Sequence, residues 1–165
     1  MKKLIAMAVV AISITAVQAQ DNIHPKTIFS IGAESGFPMG SDGIGGDYYV
    51  AIGGSLQVEY TVSRDFGLTL NAGYLLYLGK LFEADNEGMI PVLAGFRYHF
   101  TPKIYGSGQA GISFSTVSNG GSAFTYAPGI GFPLSQHADL LVRYEAASKN
   151  GRTIANFGVR FAYDF

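Results

Sequence analysis

The sequence predicts an all-β chain: an eight-stranded antiparallel up-and-down transmembrane β-barrel, preceded by a cleaved signal peptide. Three observations carry that expectation. Charged residues make up only 14% of the chain, against about 25% in an ordinary soluble domain, and mean hydropathy is +0.22. From Ile104 to Ala138 there is no Asp, Glu, Lys or Arg, yet Gly106, Gly108, Gly111, Pro128 and Pro133 interrupt that stretch too often for a spanning helix. Large apolar side chains recur at every second position in run after run, which is the period of a strand. A backbone placed in lipid must satisfy its own polar groups, so a chain that cannot be helical there has to close its strands on one another.

The N-terminus reads as an export signal. Met1-Lys2-Lys3 is a short cationic head, and Leu4 to Val17 is apolar except for Ser13 and Thr15. Val17-Gln18-Ala19 places small residues where a signal peptidase reads them, so cleavage is expected after Ala19. The competing assignment, a membrane-anchoring helix, would require roughly 20 apolar residues. The expected division is therefore 1–19 as signal peptide and 20–165 as a single barrel domain.

Eight alternating runs follow. They span about Thr27–Phe37, Tyr48–Tyr60, Phe66–Leu78, Gly88–Phe100, Ile104–Thr116, Ser122–Phe132, Asp139–Ala147 and Thr153–Phe165. Most reach or exceed the roughly 9–11 residues that a tilted spanning strand requires. Thr61–Asp65, Thr101–Lys103 and Pro133–Ala138 read as tight turns rich in Pro, Ser or Asp. The intervening Pro38–Asp47, Gly79–Glu87, Val117–Gly121 and Ser148–Arg152 are longer on average, as the outward loops of such barrels are.

The two faces of each run differ in kind. One carries residues such as Ile31, Leu56, Leu70, Phe96, Ile112, Phe124, Val142 and Val159 and no charge; the other carries nearly every in-strand charge and many glycines. A soluble barrel with the charged face outward would have a weakly solvated wall and a core crowded with aromatics. The inverse arrangement, apolar outward and ionic inward, is the one expected. It places Tyr60, Phe66, Tyr98, Phe100, Phe132, Tyr163 and Phe165 in one aromatic belt, and Tyr48, Tyr74, Phe114, Phe124 and Tyr126 toward the other. Inside, Glu34, Glu59 and Glu145 are expected to form a polar network with Arg97, Arg143 and Arg160, because buried charge must be paired. Gln57, Asn71, Gln109 and Asn156 would assist, with Asp139 and Asp164 at the rim near the termini. An eight-stranded barrel has room for little besides its side chains, so a structural core is expected; inward glycines such as Gly32, Gly53, Gly95 and Gly111 reduce that filling and leave a narrow water path as the alternative.

The chain ends on Phe157-Gly-Val-Arg-Phe-Ala-Tyr-Asp-Phe165, with apolar side chains at every second position. This strand resembles the closing strand of bacterial outer-membrane barrels. Together with the signal and the eight runs, it makes the chain similar to the small barrels typified by the OmpA transmembrane domain and OmpX. The resemblance implies a Gram-negative outer-membrane location in contact with lipid and lipopolysaccharide, a monomer, and Phe161, Tyr163 and Phe165 as the signal read by the barrel-assembly machinery. It transfers no active site.

Other chemistries find little purchase. A net charge of −1 with scattered Lys and Arg gives no footprint for nucleic acid, and no cysteine is present for a thiolate metal site. No cofactor and no metal are expected. Some small outer-membrane barrels modify lipid A, and for a hydrolase Ser135, His137 and Asp139 share one turn, but nothing beside them forms an oxyanion site. Gly40–Asp47 reads as a glycine-rich outward loop. Glu83, Asp85 and Glu87 read as a solvated hairpin tip, the sharper alternative being a divalent-cation bridge to lipopolysaccharide phosphates. The function expected is a non-enzymatic outer-membrane barrel with a structural or surface-interaction role. A narrow channel or small-ligand transporter stands as the alternative, and a lipid A-modifying enzyme behind it.

Overall fold

The computed structural model describes residues 26–39, 48–79, 86–117, 120–149 and 152–165. The signal segment, the Gly40–Asp47 loop, Glu83 and Asp85 lie outside them. Eight strands are present: β1 (Thr27–Met39), β2 (Tyr48–Thr61), β3 (Phe66–Gly79), β4 (Glu87–Thr101), β5 (Ile104–Ser115), β6 (Ser122–Pro133), β7 (Ala138–Lys149) and β8 (Arg152–Asp164). Each pairs antiparallel with its sequence neighbours, and β1 pairs with β8, so the sheet closes without an edge. The turns at residues 62–65, 102–103 and 134–137 lie at the end that also carries the C-terminus; the other four connections, longer except for residues 150–151, lie at the opposite end, the loop end.

Alternation decides the two surfaces. Phe29, Ile31, Leu56, Leu70, Phe96, Ile112, Phe124, Ile130, Phe157 and Phe161 all project outward and are exposed, while Glu34, Glu59, Arg97, Arg143, Glu145 and Arg160 on the opposite faces are buried. The wall is therefore apolar and the interior ionic, which is the arrangement a barrel takes in lipid and the reverse of a soluble one.

Two local departures matter. The β2–β3 register slips between Tyr48 and Val50. An extra residue in one strand turns the following side chains to the opposite face. Tyr49 is consequently exposed, and Tyr48 leaves the outer aromatic belt where alternation had placed it. It packs edge-on against the buried Tyr77, with ring centroids 5.9 Å apart. Pro91 and Pro128 sit mid-wall in β4 and β6, where proline removes a ladder donor. Pairing is interrupted opposite each of them, yet the register is the same on both sides of each gap.

The inward glycines do not border open space. A Cβ on Gly32 would come within 2.7 Å of the Arg160 guanidinium, and one on Gly131 within 1.9 Å of the Tyr105 ring. At Gly53, Gly95 and Gly111 it would meet the backbone of the neighbouring strand. These positions therefore do not thin the filling of the lumen as their missing side chains suggest. The glycines are occupied by neighbouring side chains or mark close strand approach.

Candidate functional site

The chemistry of the described residues lies inside the barrel, in an ionic cluster at mid-height, a second near the termini and a recess at the loop end. The first cluster seals the β1–β8 seam. Glu34 and Arg160 face each other directly across that seam, with Arg160 Nε 3.8 Å from Glu34 Oε1. Arg160 is fully buried and reaches over Gly32 to donate to Ser55 Oγ of β2 (2.8 Å) and Ser30 Oγ of β1 (3.0 Å). Arg143 Nη2 of β7 donates to Glu34 Oε2 at 2.6 Å and lies 2.8 Å from Glu145 Oε2. Two guanidinium groups thus hold two carboxylates across three adjacent strands.

The second cluster crosses the lumen. Arg97 of β4 lies 3.2 Å from Glu59 of β2 and 3.6 Å from Asp139 of β7. Its guanidinium sits 4.1 Å from the centre of the Tyr105 ring, and the Tyr105 hydroxyl donates to Asp139 Oδ1 at 2.6 Å. Between the clusters, Gln109 Nε2 donates to Gln57 Oε1 and Thr69 Oγ1, both at 3.1 Å. Side chains from β2, β4, β5 and β7 therefore meet in the middle of the tube.

Asp139, the second residue of β7, stands at the terminal end as its sequence position suggests, but it is not open at the rim. It is buried, because the adjacent Tyr105 and Arg97 cover it. Tyr105 was overlooked in the sequence. It shares the inward parity of Ser107 and Gln109, and its cross-strand partner is Gly131; a large ring opposite a glycine was the available signal. Asp164 is half-buried at the rim, and His99 packs against Tyr105. With Asp139 inside, four carboxylates face three guanidinium groups. Several of their atoms, including both Glu145 oxygens and Arg160 Nη1, have no hydrogen-bond partner.

The loop-end half of the lumen is different. Ala51, Leu75, Tyr77, Met89 and Ala147 form a buried apolar cluster, with Tyr48, Ala123 and Ile154 packed against it. Above it opens a recess of about 390 Å³ lined by Glu87, Met89, Ser113, Ser115, Gly120, Gly121, Ser122, Ala123, Ala147, Lys149 and Ile154. Glu87 turns into this mouth, accepting hydrogen bonds from Ser115 Oγ (2.8 Å) and Tyr48 Oη (3.2 Å).

The side chains of the Ser135–Asp139 turn are otherwise engaged. His137 Nδ1 lies 2.9 Å from the Asp164 carbonyl, Ser135 Oγ accepts from the His137 backbone N–H, and Asp139 serves Tyr105 and Arg97. No carboxylate orients the imidazole toward the serine. Among the described residues no group of three His, Cys, Asp or Glu is arranged to hold a metal. Phe161, Tyr163 and Phe165 project from the outer wall, Phe165 at 69% exposure. The Phe165 N–H donates to the Phe29 carbonyl, so the strand is paired to its last residue.

Comparison with known proteins agrees with this architecture. A family model described as outer membrane protein beta-barrel domain matches residues 5–165. Among curated proteins, none matches by sequence. Among solved structures, Ail, the attachment invasion locus protein of Yersinia pestis, is similar with a TM-score of 0.61 and 18% identity. The match covers 87% of this chain and 100% of Ail. The N-terminal β-barrel domain of Pseudomonas aeruginosa OprF gives 0.58 at 13% identity, covering 86% and 100%. Neisserial surface protein A gives 0.56 at 14%, covering 86% and 98%.

Proposed function

We propose, for a chain that belongs to the outer membrane protein beta-barrel family, a non-enzymatic role in the outer membrane exercised through its outward loops rather than through a conducting lumen. The observation that carries this reading is the closure of the tube at two levels. Arg97, Glu59, Asp139 and Tyr105 meet across it near the termini, and Leu75, Tyr77 and Met89 fill it toward the loops. An eight-stranded barrel has room for little besides its own side chains. The name of the Ail relative, an attachment and invasion protein, supports a surface-interaction role for a barrel of this size.

The outer wall contacts lipid and lipopolysaccharide on this reading. The monomer is assembled by machinery that reads Phe161, Tyr163 and Phe165, whose rings are presented on the outside of the last strand. Removing Phe165 is then expected to lower the yield of folded protein in the outer membrane while leaving refolding in detergent intact.

Planar-bilayer recording tests the main claim. Purified protein is expected to give no steady unitary current. Regular openings that vanish or change size in Arg143 or Glu145 variants would replace this reading with a channel. Mass spectrometry of lipid A from expressing cells is expected to show no new species.

A further inference from the structure

We propose that the loop-end recess binds a small zwitterion with an apolar body: a free amino acid with an aliphatic side chain, or a short peptide of such residues. The inference concerns the mouth of the barrel and does not depend on the loop-borne role above. Glu87 stands on β4 and Lys149 on β7, three strand steps apart, or about 14 Å along the wall at the usual strand spacing. Both line the same recess. Among the described residues, no cation reaches ion-pair distance of Glu87 and no carboxylate reaches it from Lys149. The described lining of the recess thus offers one anion and one cation, on different strands, to whatever enters.

Neither charge is loose. Tyr48 and Ser115 each donate to one Glu87 oxygen. Tyr48 can do so because the register slip in β2 turns it inward. Lys149 Nζ donates to the Gly120 carbonyl. Gly121, at φ 71°, takes the left-handed turn that brings its carbonyl onto the Ser115 N–H at 2.9 Å. Two of the three ammonium protons and the outward lone pairs of the carboxylate remain for a ligand. Below them Met89, Ala123, Ala147 and Ile154 form an apolar floor, and Ser113 and Ser122 add hydroxyls at the side.

This combination selects by exclusion. A phosphate or sulfate would meet Lys149 but be repelled by Glu87. A divalent cation would find one carboxylate and a facing ammonium. A sugar would leave the floor unused. An ammonium on Glu87, a carboxylate on Lys149 and a hydrocarbon on the floor satisfy all three surfaces, and charge-assisted hydrogen bonds are the stronger kind. The volume is at the small end for ligand pockets. The apolar cluster beneath blocks onward passage, so the recess is a binding site rather than the entrance of a pore.

The test uses the mature chain refolded in detergent, titrated calorimetrically with L-leucine, L-alanyl-L-leucine, N-acetyl-L-leucine and L-leucinamide. At least one of the two zwitterions is expected to saturate below about 10 mM, in the range of weak solute sites; the tighter of the two identifies the source as amino acid or peptide. Each blocked analogue should bind at least tenfold more weakly than leucine. E87Q should erase the preference over N-acetyl-leucine, and K149M the preference over leucinamide, while both variants keep the gel shift of a folded barrel. Absence of binding by both zwitterions, or equal binding of leucine and its blocked analogues to the unmodified protein, overturns the proposal.

Discussion

From the termini to mid-height the lumen is filled by guanidinium and carboxylate groups that reach from one strand to another two or three away. Near the loops it is filled by Leu75, Tyr77, Met89 and alanines that touch without any ionic pairing. Both fillings close a tube of the same eight strands, but they respond differently to damage. Removing one member of an ionic cluster leaves its partner's charge buried without compensation. Removing an apolar side chain leaves only a cavity and lost contacts. The ionic half also fixes which strands meet: Arg160 spans β8, β1 and β2, and Arg97 ties β2, β4 and β7. The apolar half tolerates a recess above it, where Glu87 and Lys149 are held by neutral hydrogen-bond partners and, among the described residues, by no opposite charge. Ionic pairing is concentrated from the C-terminal end to mid-height, and the proposed binding recess lies at the loop end.

Four experiments sharpen or break that contrast, in decreasing order of expected effect. Arg143→Met would leave Glu34 and Glu145 buried without their shared cation, and is expected to cost about 3–5 kcal/mol. Urea unfolding in phospholipid vesicles would measure it. Adding Glu145→Leu, which leaves Glu34 facing Arg160, should recover part of that loss; a single variant as stable as the parent would show that the network contributes nothing. In the other half, Leu75→Ala is expected to cost about 2–4 kcal/mol through the cavity it leaves, with no rescue by changing any charge. Next, Gly131→Ala should cost about 1–3 kcal/mol, because its methyl would displace the Tyr105 ring and with it the hydrogen bond to Asp139. The same glycine change combined with Tyr105→Phe tests whether steric crowding or the lost bond dominates. Smallest, Glu87→Gln at the mouth is expected to move stability by no more than about 0.5 kcal/mol, in contrast to its effect on ligand preference. A large loss there would mean that Glu87 belongs to the structural half after all.

Most of the wall was legible in the chain. Strand limits fell within two residues, since period-two alternation leaves few ways to place a strand whose one face meets lipid. Where alternation was read without allowance for a bulge, at Tyr48, the face came out reversed. The depth of Asp139 was misjudged for a different reason. Distance from a strand end says how far along the tube a residue lies, and nothing of what folds over it from across the lumen. Tyr105 was hidden in the same way, its partner Gly131 standing 26 positions later in the sequence. The glycines were read as vacancies because a sequence shows a missing side chain without showing which neighbour occupies its place.

The sequence by itself determined the number of strands, their limits, the orientation of their faces and the inward direction of Glu34, Glu59, Arg97, Arg143, Glu145 and Arg160, because all of these follow from local periodicity and from the cost of exposing charge to lipid. Only the tertiary structure decided which charges pair, which half of the lumen is ionic and which apolar, and that Glu87 and Lys149 share one recess. Those outcomes depend on the stagger with which eight strands close. That stagger brings together residues as far apart as Ser30 and Arg160, a relation no local pattern encodes.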